Sequence, residues 1–154
     1  MSRINIVVPI VLIIATVYTV VYHVREPAVL KDVKERYSTL RKYIKDNQDS
    51  VDKKFNVLTK EILVTGFFKK LLSSKNAIGY NVNKGYEIGV CIDGEPNDIF
   101  HVLIHELAHS VSSKYSHDDE FWKNFSDLKD LCVKCGVYTK IKEKKFMCGG
   151  YIHD

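Results

Sequence analysis

The segment His105-Glu106-Leu107-Ala108-His109 constrains the fold more than any other, because its side chains can act together only on a helix. Residues four apart lie on one face of an α-helix, so the two imidazoles can bind the same metal ion. Glu106 follows the first histidine, where a carboxylate can take a proton from a water molecule activated by that ion. The opposite face is apolar and predicts packing against a core: Leu103, Ile104, Leu107 and Val111.

A catalytic zinc site needs a third protein ligand and an open position. His117 is the first candidate, because its distance from His109 lets the helix end and the chain return to the ion. Glu120 and then Cys91 remain alternatives. His101 shares the helix face but lies two turns from His109, about 12 Å, so we expect it at the edge of the site. The predicted ligands of one Zn²⁺ ion are His105, His109 and His117, with Glu106 as general base.

The other cysteines offer a second set of metal donors together with a histidine: Cys132, Cys135, Cys148 and His153. Cys132 and Cys135 continue the apolar spacing of the preceding helical pattern. We therefore expect buried thiols rather than a second zinc site.

The N-terminal residues 4–24 contain no Asp, Glu, Lys or Arg. A helix of this length rises about 30 Å, the thickness of the hydrocarbon layer of a membrane. A cleaved signal peptide has a shorter apolar core of about 7–15 residues, so the pattern favours an uncleaved transmembrane helix. More basic residues follow the segment than precede it, which favours a cytosolic C-terminal domain. The sequence thus predicts a single-pass membrane protein that contacts the lipid bilayer through residues 4–24.

The remaining chain has the size of one compact domain. We predict an anchor over residues 1–25 and a domain over residues 26–154, with a helical part over 26–77 and a metal-binding part over 78–154. Residues 26–154 contain 21 Lys and Arg against 19 Asp and Glu, a net charge of +2. This charge is too small to predict a specific nucleic-acid partner. A peptide or protein is the expected substrate, and the oligomeric state stays open.

Apolar spacing predicts the remaining secondary structure. Besides the motif helix, expected over residues 98–114, it indicates helices after Pro27, over residues 55–72 and over residues 118–135, the last ending at Gly136. Alternating residues after Asn83-Lys84-Gly85 predict a strand over residues 86–92, whose edge could pair with an extended substrate. These elements indicate an α+β fold, with the motif helix packed on a short sheet and covered by helices.

Several motifs in residues 78–154 together resemble a known family of metallopeptidases. They are Asn83-Lys84-Gly85, His105-Glu106-Leu107-Ala108-His109, His117-x-x-x-Phe121-Trp122, Gly136-Val137-Tyr138 and Cys148-Gly149-x-x-Ile152. The chain is similar to small zincin-type peptidases of large DNA viruses of eukaryotes, which are related to WLM and SprT-like peptidases. Ser116 stands where that pattern often has glycine.

The resemblance implies a zincin-like fold, zinc ligands at His105, His109 and His117, and a general base at Glu106. The expected function is that of a membrane-anchored zinc peptidase. One alternative is an inactive membrane protein of a virion or infected cell that zinc stabilises. A second alternative is a peptidase that cleaves proteins crosslinked to DNA.

Overall fold

The computed structural model describes residues 4–69 and 77–154. Its α-helices are α1 (Ile4–Val24), α2 (Ala28–Asp46), α3 (Pro96–Val111) and α4 (Asp119–Lys134), and a 3₁₀ segment covers Lys53–Thr59. Its strands are β1 (Leu63–Phe67), β2 (Gly79–Val82), β3 (Glu87–Cys91), β4 (Lys145–Met147) and β5 (Gly150–Ile152). The predicted α+β class is confirmed.

The central sheet has the strand order β1-β3-β2. β2 and β3 form an antiparallel hairpin, and β1 lies parallel to β3 on its other side. The hairpin turn uses positive φ at Asn83, Lys84 and Gly85. Such turns match the twist of paired strands and favour Asn and Gly, which explains the Asn-Lys-Gly signal in the sequence. The sheet therefore leaves β1 and β2 as edge strands.

Helix α3 packs between the sheet and helices α2 and α4. Its apolar face is buried as predicted, with Leu103, Ile104 and Leu107 fully inaccessible to solvent. Helix α2 contributes a second apolar face at helical spacing: Leu30, Val33, Tyr37, Leu40 and Ile44. The predicted helices after Pro27, around the motif and before Gly136 are confirmed.

The predicted helix over residues 55–72 is wrong. Residues 53–59 form the 3₁₀ segment, and Leu63–Phe67 forms β1. Pairing of β1 with β3 satisfies the backbone of this segment and overrides its helical spacing, because tertiary contacts outweigh local propensity. The last part of the predicted helix, residues 70–72, lies outside the described residues.

Helix α1 forms where the sequence predicted a helix. In the described part of the chain, however, no helix is long and apolar enough to cross a membrane. A membrane-spanning helix needs about 20 consecutive apolar residues. The predicted N-terminal transmembrane helix is therefore wrong, as is the prediction of a single-pass membrane protein with a cytosolic domain. The boundaries at residues 25/26 and 77/78 stay predictions.

The C-terminal hairpin of β4 and β5 lies beside α3. A disulfide joins Cys148 in its turn to Cys91 at the end of β3. Lys145 Nζ also contacts both carboxylate oxygens of Asp98, at 2.9 and 3.1 Å, near the start of α3. These two links hold the hairpin next to the helix that carries the motif.

Candidate metal centre

The two motif histidines lie on the side of α3 that faces α4 and the connection between the helices. Their ring centroids are 5.1 Å apart, as expected for residues one helical turn apart. His117 comes from the connecting segment, residues 112–118, and its imidazole meets the other two. The distance from its Nε2 to Nε2 of His105 is 3.0 Å, and to Nε2 of His109 it is 3.1 Å.

This arrangement fits a tetrahedral zinc ion. Zn–N bonds of about 2.0–2.1 Å at tetrahedral angles separate ligand nitrogens by about 3.3 Å, close to the observed distances. Burial, and then the charges of His109 and His117, lower the pKa of His105 to about 3. Burial also lowers the pKa of His109. Both imidazoles are thus neutral at pH 7 and offer the lone pairs that a metal ion requires.

Phe121 of α4 packs against all three imidazoles. Its ring centroid lies 4.9 Å from that of His105, 4.4 Å from that of His109 and 4.5 Å from that of His117. The Trp122 ring stacks on the imidazole of His117, with the ring centroids 5.7 Å apart. The Phe-Trp pair of the sequence therefore orients the third imidazole.

Polar contacts hold the connecting segment in place. Lys84 of the β2–β3 turn donates to the carbonyls of Ser112 and Ser113, the first at 2.7 Å. Glu120 accepts from the Ser113 amide and hydroxyl. Asp118 caps α4, because its Oδ1 accepts a hydrogen bond from the Phe121 amide at 3.2 Å. Ser116 is not among the residues with positive φ, so serine fits where the family pattern has glycine.

Glu106 is buried on the sheet side of the trio. Burial raises the pKa of its carboxyl to about 7. A Cβ atom on Gly79 of β2 would lie 2.8 Å from Glu106 Oε1, so glycine leaves the space that the carboxylate occupies. The Asn81 amide donates to the Glu106 carbonyl at 2.6 Å and fixes the helix on β2.

The histidines and Glu106 open into one cleft of about 760 Å³. Residues 77–79, at the start of edge strand β2, line one wall. We expected the strand over residues 86–92 to pair with substrate, but that expectation is wrong because β3 has a partner on both sides. β2 is the edge strand that borders the cleft.

The alternative donors lie elsewhere. Glu120 is bound to Ser113, and Cys91 is in the disulfide with Cys148. A further donor group in the described residues, made of Cys91, Cys148 and Asp93, is closed by that disulfide. Cys132 is buried as predicted, while Cys135 is half-buried.

Sequence reasoning missed several residues that position the site. Gly79 and Lys84 lie in the β2–β3 hairpin, and they reach Glu106 and the connecting segment only because the hairpin packs on α3. Their roles could not be inferred without knowledge of the strand pairing. His101, expected at the edge of the site, lines the cleft and contacts the Tyr138 hydroxyl at 2.7 Å. The motif Gly136-Val137-Tyr138 is evident in the sequence, but its local pattern does not reveal the long-range contact of Tyr138 with His101.

The family model described as the WLM domain matches residues 62–151, more than half of the chain. Neither a curated protein nor a solved structure matches this chain. The match does not support the viral origin that the sequence motifs suggested. This chain belongs to the WLM domain family, a family of zincin-like metallopeptidases.

Proposed function

We propose that this protein is a zinc-dependent peptidase in which His105, His109 and His117 bind one zinc ion and Glu106 is the general base. The observation that supports the proposal is the convergence of three Nε2 atoms beside a buried carboxylate in an open cleft. A closed shell of four protein ligands would instead favour a structural ion. Within the described residues, the donor group at this site contains three side chains.

The chain's own residues have distinct parts in the reaction. A bound zinc ion supplies a Lewis acid that activates water and polarises the scissile carbonyl. Glu106 takes the proton of the attacking water and passes it to the leaving amine. Gly79 gives its carboxylate room, and Asn81 holds the backbone from which it extends.

Substrate binding is assigned to β2. One side of β2 pairs with β3, and its other side is an open edge next to the cleft. An extended peptide can add to such an edge through backbone hydrogen bonds, with its side chains pointing alternately to either face. This mode positions a peptide bond without requiring a particular sequence.

The test is Glu106→Gln, which keeps the shape of the side chain but removes the base. We expect one zinc ion per chain, as in the wild type, and an approximately 10³-fold loss of casein cleavage. The exposed Glu61, which lies outside the cleft, provides the matched control Glu61→Gln, with unchanged cleavage. Undiminished cleavage by Glu106→Gln would remove Glu106 from the mechanism.

A second candidate function is cleavage of proteins crosslinked to DNA, which the family also suggests. The C-terminal hairpin supports it, because Phe146 and Tyr151 are 67% and 61% exposed and their rings are in contact. Lys144 Nζ lies 4.3 Å from the Tyr151 ring centroid, and Tyr151 borders the cleft. Aromatic rings next to lysines are a common surface for stacking unpaired bases.

Binding of a fluorescent single-stranded oligonucleotide tests this second function. We expect binding that weakens with salt, and an approximately tenfold loss of affinity in Tyr151→Ala. Tyr86→Ala, at an exposed tyrosine outside the cleft, is the control. Absence of binding at low salt would reject the function.

A further inference from the structure

His101 lies on α3 one turn before His105 and is only 6% exposed. Its ring packs edge-on against Phe125, with centroids 5.4 Å apart. Its Nδ1 lies 2.7 Å from the Tyr138 hydroxyl oxygen. The imidazole is therefore held in one orientation, although it is too far along the helix to share an ion with His109.

The neighbours of Tyr138 determine which nitrogen of His101 bears the proton. The Tyr138 hydroxyl has one proton and donates it to Asp154 Oδ2 at 2.7 Å. Lys129 Nζ lies 2.7 Å from Oδ1 of the same carboxylate. Burial alone would raise the pKa of Asp154, but hydrogen bonds from Lys129 and Tyr138 hold it below its usual value. The Tyr138 oxygen is thus left as an acceptor, and His101 must donate to it from Nδ1–H.

The other nitrogen of His101 then has a free lone pair. Burial lowers the pKa of His101 to about 4, so the ring is neutral at pH 7 and Nε2 bears no proton. Within residues 4–69 and 77–154, the hydrogen bond of the His101 ring is the one that its Nδ1 makes with Tyr138. In the same ranges, the only buried side-chain nitrogen or oxygen without a partner is Nδ1 of His109. Nε2 of His101 is not among these fully buried atoms, and His101 is one of the residues that line the cleft.

We propose that His101 is a substrate-binding residue whose unprotonated Nε2 accepts a hydrogen bond from an N–H or O–H group of the bound peptide. Tyr138 and Asp154 are positioning residues that fix the required tautomer. The four residues from His101 to His105 rise about 6 Å along α3, which corresponds to about two residues of an extended chain. The donor therefore lies within about two residues of the scissile bond. The inference rests on the proposed peptidase function and assigns part of its substrate recognition.

The first test is the tautomer itself, read from ¹⁵N shifts of labelled histidine in the zinc-loaded full chain. We expect Nδ1–H for His101, although free imidazole side chains prefer Nε2–H. Tyr138→Phe removes the acceptor and should shift His101 towards Nε2–H. Tyr37→Phe is the matched control, because Tyr37 is an equally buried tyrosine whose hydroxyl donates to carbonyls outside the cleft. An Nε2–H tautomer in the wild type would overturn the proposal.

The second test compares two substitutions at His101. Asn places a nitrogen where Nδ1 was and loses Nε2, while Gln places an acceptor where Nε2 was. With dye-labelled β-casein as substrate, we expect His101→Asn to raise KM about fivefold at nearly unchanged kcat. His101→Gln should stay within about twofold of wild type. Equal KM values for His101→Asn and wild type would contradict a substrate contact.

A binding readout separates this inference from the proposed function. In the Glu106→Gln variant, addition of β-casein should shift the His101 Nε2 resonance. In the double variant Glu106→Gln and Tyr138→Phe, β-casein should leave this resonance unchanged. If wild type cuts no casein but this shift occurs, the peptidase proposal fails and the binding role stands. If the wild type cleaves casein but casein leaves the His101 resonance unchanged, the binding role of His101 is rejected and the peptidase proposal stands.

Discussion

Helix α3 and the connecting segment, residues 112–118, contribute the three histidines of the candidate metal centre but are held in different ways. Twelve of the sixteen residues of α3 are buried, whereas residues 113–117 are all exposed. Apolar packing therefore fixes His105 and His109. Hydrogen bonds from Lys84 to the Ser112 and Ser113 carbonyls hold the connecting segment, and the Phe121 ring packs against the imidazole of His117.

The difference separates folding from metal binding. Changes within α3 should cost global stability, because they leave cavities in a close-packed core. Changes around the connecting segment should leave the fold intact but lower the affinity for the metal ion, because they displace His117.

The largest effect is expected for Leu107→Ala, at a fully buried position on the apolar face of α3. Loss of the side chain should lower the free energy of unfolding by about 3 kcal/mol. Urea denaturation followed by circular dichroism measures it. Tyr115→Ala, at an exposed residue of the connecting segment, should change it by less than about 0.5 kcal/mol. Equal losses would show that the segment is part of the cooperative core.

Gly79→Ala should damage catalysis without affecting the metal. The new Cβ would lie 2.8 Å from Glu106 Oε1 and 2.8 Å from Val102 Cγ1, so the carboxylate has to move. We expect an approximately tenfold lower kcat, because a small displacement of a catalytic group is costly. Zinc content, measured in parallel, should stay at one ion per chain. A lower zinc content with a normal kcat per bound ion would contradict this, because it would show that Gly79 supports the metal-binding histidines and not the Glu106 carboxylate.

Lys84→Met should weaken zinc binding about fivefold through the connecting segment. It removes the donors to the Ser112 and Ser113 carbonyls but keeps the length of the side chain. Competition with a fluorescent chelator measures the affinity. Lys114→Met is the control, since Lys114 is exposed and its ammonium lies 4.0 Å from Asp118. Similar losses in both variants would point to overall charge instead of these hydrogen bonds.

The smallest effect is expected for Glu120→Gln. Glutamine can still accept a hydrogen bond from Ser113, so zinc affinity should fall about twofold and the stoichiometry should remain one. Zinc content and chelator competition give both values. Loss of the ion would identify Glu120 as the third ligand, which the sequence left open.

The parts of this molecule that local patterns define were predictable from the sequence. The spacing of His105 and His109, and the apolar residues between them, predicted α3 and its two faces. The return of the chain to His117 also followed, because few residues separate it from the helix. Helix α4 followed from its spacing and from Gly136, which has positive φ just after the helix ends.

Long-range pairings were not predictable. Leu63–Phe67 became a strand because β3 was available as a partner, which local spacing cannot show. The Cys91–Cys148 disulfide joins residues separated by 57 positions. The apolar composition of residues 4–24 predicted a helix correctly, but the further inference of a membrane span failed.

Zinc titration of the full chain beside His105→Ala and His117→Ala tests the central claim most directly. The account predicts one ion per wild-type chain and an affinity lower by at least about a hundredfold in each variant, because three imidazoles share the ion. Circular dichroism should show that His117→Ala remains folded. Tight stoichiometric binding by His117→Ala, equal to that of the wild type, would contradict the account.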